Sequence, residues 1–341
     1  SLKGANKFVG VKDAAGVRVL AECDDGQPLL VIGEYGRGRV VAMAGDSTWR
    51  WWMQGHAGAH RRFWRQAVLW LVGRESLQQD EVWLKLDLMQ RTTSFKFRGA
   101  LNKILSLTEA ELDRGIVSAS TGNYALAVAE AAKIRGYGAT IYVAKDIEPS
   151  RLELLRAHGL DVIVFGDAPW DAELEARRVA DAEGRIYVSP YNDPLVVGGQ
   201  GTCGYEISQQ LPDLDAVFFA CGGGGLVSGS AGWLKSQNPN VEVFGVSPEN
   251  SPVMYESVRA DRIVETEHFP TLADTCAGAL DQDTITLDLC QRLVDDTLLL
   301  SEEEIEAAIR LLFEQHRRVA EGSASMSVGG LLKRKEQVRG K

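Results

Sequence analysis

The chain has 341 residues, 45% hydrophobic and 25% charged, with a net charge of −10. That balance excludes a long disordered chain and supplies no basic face for nucleic acid or an anionic membrane, so a small molecule is the expected partner. Cys23, Cys203, Cys221, Cys276 and Cys290 are odd in number with no CxxC pair or zinc spacing, the pattern of a reducing cytoplasm, and no secretory h-region or apolar run of about eighteen residues is present.

Because the first residue is Ser1 rather than Met, a fragment or an engineered chain is one expectation. Five of its eight Trp (Trp49, Trp51, Trp52, Trp64, Trp70) fall before a composition break near residue 75. Apolar patterns there predict strands over Val17–Glu22, Leu29–Glu34 and Val40–Gly45, with a Gly36-Arg37-Gly38 turn. A helix follows whose apolar stripe is Phe63, Val68, Leu69, Leu71 and Val72. His56 and His60 have the spacing of a helical metal pair, but Gly55 and Gly58 favour a loop, so no metal is assigned.

After the break, strands alternate with amphipathic helices, the rhythm of a parallel α/β sheet covered on both faces. A strand is predicted over Val82–Asp87. The pairs that follow are Ile116–Ser120 with a helix over 122–135, Thr140–Ala144 with 149–158, and Val162–Phe165 with 172–182. Then come Ala216–Cys221 with 226–236, and Val241–Val246 with 252–260.

Four segments carry chemistry. Ser94-Phe95-Lys96-Phe97-Arg98-Gly99-Ala100 opens a helix, and a lysine partly buried between aromatic rings near a positively polarised helix start has its charged form disfavoured, as an aldehyde-binding amine requires. Taken alone, a helical lysine is a solvated surface residue. Cys221-Gly222-Gly223-Gly224-Gly225-Leu226 lies between an apolar strand and an apolar helix, where bare amides and a helix dipole can converge on a phosphate. It is neither a Walker loop nor a GxGxxG site.

The third segment is Ser118-Ala119-Ser120-Thr121-Gly122-Asn123-Tyr124, a strand end turning into a helix. Its hydroxyls and amides could hold a carboxylate, and Asn123 a phenolic oxygen, although a plain N-cap looks the same. The fourth, Glu321-Gly322-Ser323-Ala324-Ser325, interrupts two helices and offers a hydroxyl that could meet a ring nitrogen; as a bare helix–helix turn it carries nothing.

In this order the four segments resemble the fold-type II pyridoxal-phosphate (PLP) enzymes of the tryptophan-synthase β-like superfamily, and within it the serine/threonine dehydratases. The resemblance runs over about residues 82–335. Its most specific stretches are Val82–Asp87 into Ser94–Ala100, Tyr187–Asp193 into Gly199–Thr202, Val246–Pro252, and Thr271–Asp274. It implies an α/β fold with a large PLP domain (76–115 and 195–337) and a small one (116–194), preceded by a β-rich segment of other origin (1–75).

It also implies roles. Lys96 is the Schiff-base lysine and Phe95 lies beside the ring. Asn123 bonds the phenolic oxygen, Gly222, Gly223, Gly224 and Gly225 bind the phosphate, and Ser323 faces the pyridine nitrogen. Ser120, Thr121, Gly122 and Asn123 hold the substrate carboxylate. The implied reaction removes the β-hydroxyl and the amino group of L-threonine, L-serine or a related amino acid, giving a 2-oxo acid and ammonia. A homodimer is the family expectation.

Departures bear on this reading. Tyr124 stands where His is common, and Thr121 stands where related serine racemases carry the serine of the opposite face, so racemisation ranks second. Ser247 and Val253 replace acidic ligands of metal-dependent racemases, so no cation is expected there. No room is left for a regulatory ACT domain, which points to a catabolic enzyme.

The family's N-terminal helix and Thr-Pro-Leu strand are not found upstream of Val82. Instead, Gly38–Trp49 and Phe63–Leu71 resemble the end of a bacterial glutamine-amidotransferase-like domain. Without a Gly-x-Cys-x-Gly elbow, and with acidic neighbours around Cys23, that segment is assigned no amidotransferase activity. The competing reading is a non-catalytic fusion of two gene fragments whose PLP half is incomplete and leaves apolar surface uncovered, at about 25 cal/mol per Å².

Overall fold

The protein is described by a computed structural model over residues 17–22, 28–35, 38–43 and 81–338, with scattered helical positions between 60 and 71. Cys23, His56, Trp49, Trp51, Trp52, Trp70, Leu69, Val72 and Gly36-Arg37 lie outside the described residues. The chain divides into two compact units between Trp83 and Leu84.

In the first unit, β1 (Arg18–Glu22), β2 (Pro28–Tyr35) and β3 (Gly38–Met43) form an antiparallel sheet in that order, close to the predicted spans. Val31 pairs with Val19 on one side and Ala42 on the other, and it is buried with Ile32. Phe63, Trp64, Val68 and Leu71 are helical as expected, and the Phe63 and Trp64 rings meet edge to face at 5.2 Å.

The second unit, Leu84–Val338, holds two parallel sheets. The predicted strand Val82–Asp87 does not form: no ladder partner lies beside it among the described residues, Val82 and Trp83 are exposed, and the chain turns at Asp87–Met89. An apolar run needs a neighbour to accept its amides before it becomes a strand.

The first parallel sheet has the order β6-β5-β4-β7, with β4 at Ile116–Ala119, β5 at Ala139–Val143, β6 at Asp161–Val164 and β7 at Ile186–Tyr187. Alternate residues serve opposite faces. Ile116, Ile141 and Val143 pack with α1 (Lys96–Ser106) and the alanine-rich α3 (Asn123–Ile134), with the short α2 (Glu109–Asp113) between these helices in the chain. Val117 and Tyr142 pack on the other side against Ala172, Ala176 and Ala180. Those three share one stripe of α5 (Pro169–Glu183) at i, i+4, i+8; α4 (Pro149–Ala157) lies between β5 and β6 in the chain.

The second parallel sheet runs β10-β9-β8, with β8 at Ala216–Ala220, β9 at Glu242–Pro248 and β10 at Asp296–Leu300. Phe219, Cys221 and Val243 face α6 (Pro194–Gln210), α7 (Gly225–Gln237), α8 (Val253–Ala260) and α9 (Ile285–Leu293). Phe244, Val246 and Leu298 face α10 (Glu302–His316) and α11 (Gly322–Val338). The Phe218 and Phe244 rings stack at 4.5 Å across neighbouring strands. All five strand–helix pairs predicted after the break are present, with ends shifted by a few residues.

Helix α1 crosses α6 with almost no gap. A Cβ on Gly199 would lie 2.7 Å from the Arg98 carbonyl oxygen and from Gly99 Cα, and one on Gly99 would lie 2.8 Å from the Val196 carbonyl. Gln200 seals the crossing, its Oε1 accepting from the Gly99 amide at 3.3 Å. Because backbone cannot yield as a side chain can, Gly199→Ala is expected to cost roughly 1–3 kcal/mol and to lower the thermal midpoint by several degrees. Calorimetry of the two proteins checks this.

Candidate active site

The chemistry-bearing loops lie at the carboxyl ends of parallel strands, where α/β sheets place their ligands. β4 runs into Ser120–Asn123 and α3; β8 runs into Cys221–Gly225 and α7.

Lys96 stands at the first turn of α1 and is half-buried, its Nζ 5.1 Å from the Phe95 ring centroid. The preceding residues hold it in place. Ser94 is buried and its Oγ accepts from the Lys96 amide at 3.3 Å, while Thr93 takes a left-handed φ of 56° that a β-branched residue rarely adopts.

One turn on, the Arg98 guanidinium meets Asp87 at 2.8 and 3.0 Å and Glu206 at 2.7 and 2.9 Å, joining the segment before α1 to α6. Lys85 adds a second cation to Glu206. Hydrogen bonds from Arg98, then from Lys85, hold the Glu206 carboxyl down at about 2.

The glycine loop has its carbonyls tied back. Cys221 O accepts from Ser247 Oγ, Gly223 O from Thr286 Oγ1 and Gly224 O from Ser228 Oγ, each at 2.7 Å. Among the described residues no protein acceptor takes the amides of Gly222, Gly223, Gly224 or Gly225. Gly224 has φ 81°, which removes the choice of a side chain, and a Cβ on Gly223 would strike the Tyr191 ring at 2.5 Å. Tyr191 backs the loop, with its hydroxyl accepting from the Asp281 amide at 2.9 Å.

The turn at Asp274–Cys276 joins these parts. A Cβ on Gly222 would lie 2.9 Å from Cys276 Cα. Burial pushes the Cys276 thiol up to about 11, while the Lys96 ammonium and the adjacent Ser323 hydroxyl pull it down. Gly222 thus packs on the backbone of Cys276, Ser323 neighbours its thiol, and the charge of Lys96 acts on that thiol. The Ser323 hydroxyl is buried, and its thiol neighbour leaves Oγ without a hydrogen-bond partner of ordinary geometry.

An amine, four bare amides and an orphaned hydroxyl are a donor set that fits PLP, with its aldehyde, phosphate and ring nitrogen. Asn123 is half-buried at the start of α3, its Nδ2 donating to Glu321 Oε2 at 2.8 Å. Ser120 Oγ accepts from the Gly122 amide at 3.2 Å, the local cap that the sequence also allowed, and Thr121 is half-buried beside it.

Tyr124 belongs to the core. Fully buried, its hydroxyl donates to the Ser189 carbonyl at 2.6 Å and its pKa is pushed well up by that burial. Ser247 and Val253, the positions of the absent acidic ligands, are buried. Sequence reasoning assigned no role to Cys276, Tyr191, Thr286 or Glu321, although Tyr191 and Glu321 lie inside stretches it singled out and Cys276 lies two residues beyond Thr271–Asp274.

Two consequences are measurable. Replacing Thr93 by Gly removes a left-handed strain of about 1–2 kcal/mol against a glycine entropy cost of about 0.5–1, so the thermal midpoint is expected to rise by a degree or two. A carboxyl held at about 2 contributes stability that is present above the ordinary carboxylate range and lost as pH falls toward 2. Glu206→Gln is therefore expected to be less stable at pH 7 and to show a flatter decline between about pH 4.5 and 2, read as thermal midpoint against pH.

The model of the pyridoxal-phosphate dependent enzyme family matches residues 65–341. The L-threonine ammonia-lyase of Thermotoga maritima is 44% identical over 261 residues, 76% of this chain and 65% of that protein, so the chain spans just under two thirds of it. The catabolic L-threonine dehydratase TdcB of Escherichia coli K12 is 37% identical over 252 residues, 74% of this chain and 76% of that one. Among solved structures, the processed threonine deaminase isoform 2 of Solanum lycopersicum superposes with a TM-score of 0.72 at 35% identity, over 75% of this chain and 70% of that one. Maize serine racemase superposes with a TM-score of 0.70 at 28% identity, over 75% and 77%. With its glycine loop and lone hydroxyl at one turn on which the charge of Lys96 acts, and with these similarities over three quarters of its length, the chain belongs to the family of pyridoxal-phosphate dependent enzymes.

Proposed function

We propose that the chain dehydrates and deaminates L-threonine, L-serine or a related β-hydroxy amino acid to a 2-oxo acid and ammonia. The observation that carries this is the glycine loop, whose amides take no protein acceptor among the described residues, packed on the Cys276 turn together with the buried, unpartnered Ser323 hydroxyl, alongside similarity to threonine ammonia-lyases and dehydratases. Bound PLP supplies the electron sink that lets an amino acid lose its α-proton.

The chain's own groups do the rest. With PLP bound, Lys96 would hold its aldehyde, and the lysine amine, once displaced there by the substrate's amino group, would accept the α-proton. Phe95 flanks the ring. The Gly222–Gly225 amides anchor the phosphate without a cationic side chain. Ser323, a neutral hydroxyl, does not force a proton onto the ring nitrogen, which favours elimination over a long-lived carbanion. Ser120, Thr121, Gly122 and Asn123 seat the substrate carboxylate at the start of α3.

Racemisation is the second reading, supported by the likeness to maize serine racemase and by the Thr121 hydroxyl at the opposite-face position. The split into a large half (76–115 and 195–337) and a small half (116–194) rests on the two parallel sheets. Residues 1–75 are read as an amidotransferase-like piece without its chemistry on sequence resemblance alone; the division at Trp83/Leu84 supports only their belonging to a separate unit. A cytoplasmic setting fits the free thiols of Cys203, Cys221, Cys276 and Cys290. A homodimer is the expected assembly.

The test is the whole chain with PLP. A visible cofactor band bleached by borohydride is expected, with 2-oxobutanoate from threonine and pyruvate from serine. Lys96→Ala should lack the band and lose about 10³-fold or more of the activity. D-serine without oxo acid would favour the racemase, and a colourless, aggregating protein would leave the non-catalytic fusion as the better account.

A further inference from the structure

Glu321 has no part in the reaction outlined above, yet its carboxylate joins two elements far apart in the chain. Oε2 accepts from Asn123 Nδ2 at 2.8 Å, and Oε1 accepts from Thr275 Oγ1 at 3.2 Å. Asn123 opens α3; Thr275 sits in the turn that carries Cys276. The same turn is gripped from α4, where Arg151 Nη2 reaches Asp274 Oδ2 at 3.2 Å.

The backbone under this carboxylate is fixed. The Glu321 carbonyl accepts from both the amide and the hydroxyl of Ser325 at 3.0 Å, and a Cβ on Gly322 would lie 2.0 Å from the Leu272 carbonyl oxygen. The Glu321 side chain therefore starts from a fixed point of the backbone and reaches the surface, where its two oxygens are held by Asn123 and Thr275.

We infer that Glu321 is a positioning residue that sets the amide of Asn123 for the cofactor's phenolic oxygen. An unrestrained asparagine amide turns over easily, and turned over it would present its own oxygen to that anionic oxygen. A carboxylate cannot donate, so the Glu321 bond forces the nitrogen side of the amide toward it and leaves the second N–H of that nitrogen for the ring substituent. Thr275 holds the other carboxylate oxygen and so ties this orientation to the turn against which Gly222 packs. The inference rests on the reading of Asn123 as a cofactor contact and deepens it.

The experiment compares the full chain with Glu321→Ala, Glu321→Gln, Thr275→Val, Asn123→Ala and the Asn123→Ala/Glu321→Ala double variant, measuring PLP affinity, the position of the visible cofactor band, kcat and KM. Glu321→Ala is expected to bind PLP about tenfold more weakly, with a shifted band and a comparable fall in kcat, the size seen when a supporting partner is removed from a site group. Glu321→Gln, whose oxygen can still accept from Asn123, should recover most of this. The double variant should be no worse than Asn123→Ala. A wild-type band and affinity in Glu321→Ala, or additive losses in the double variant, would overturn the inference while leaving the enzyme reading intact. A wild-type protein without any band would remove both. Should Glu321→Ala fail to fold, Thr275→Val carries the test, because it loosens the carboxylate without deleting it; an unchanged band there is equally fatal.

Discussion

The placement of Lys96 depends on the cluster one turn further along its helix. A guanidinium largely out of water requires every charge around it to be met, and Arg98 is met by two carboxylates from opposite sides. Asp87 comes from the segment before α1, Glu206 from the C-terminal part of α6. The bidentate geometry leaves little rotational freedom, so the helix start cannot turn without breaking the pairing. Together with the gapless crossing at Gly99 and Gly199, this fixes the amine in direction and depth. Among the described residues no ion pair holds Lys96, which suits the reactive role proposed for it.

The glycine loop follows the complementary rule. The carbonyls of Cys221, Gly223 and Gly224 are occupied by hydroxyls of Ser247, Thr286 and Ser228, which leaves the loop's amides as its main free polar groups. A loop organised in this way attracts anions without a charged side chain, consistent with the acidic character of the whole chain.

What could be read from the sequence follows the range of the interactions involved. The four glycines could be singled out because they sit in a short strand–turn–helix pattern, and Lys96 because it opens a helix between two aromatic residues, both of them local features. The strand–helix pairs after residue 115 were legible for the same reason, through periods of two and of 3.6. Glu321 was not, since its partner Asn123 is 198 positions away and no local pattern announces the pair. Cys276 is similar: nothing in its neighbours says that Ser323 and the charge of Lys96 act on it. The Val82–Asp87 strand failed for the converse reason, because an apolar run is local but a ladder is not. Tyr124, a departure from the family pattern, proved to be a core residue whose hydroxyl closes on the Ser189 carbonyl.

Both parallel sheets direct their chemistry to one rim, the carboxyl ends of β4 and β8. At the other rim the side chains of Arg135, donating to the Ile104, Leu105 and Leu107 carbonyls, and Tyr137, donating to Asp113, tie the chain to α1 and α2, while the glycines beside them face outward. There the link from α3 to β5 passes through Arg135-Gly136-Tyr137-Gly138, with Gly136 at φ 79° and no neighbouring atom within 4 Å of a Cβ added at Gly136 or Gly138. An epitope, a fluorophore attachment point or a short immobilisation tether inserted at that hairpin would hang in solvent behind the sheet. It would give an engineer a handle on this protein without touching the residues that do its chemistry.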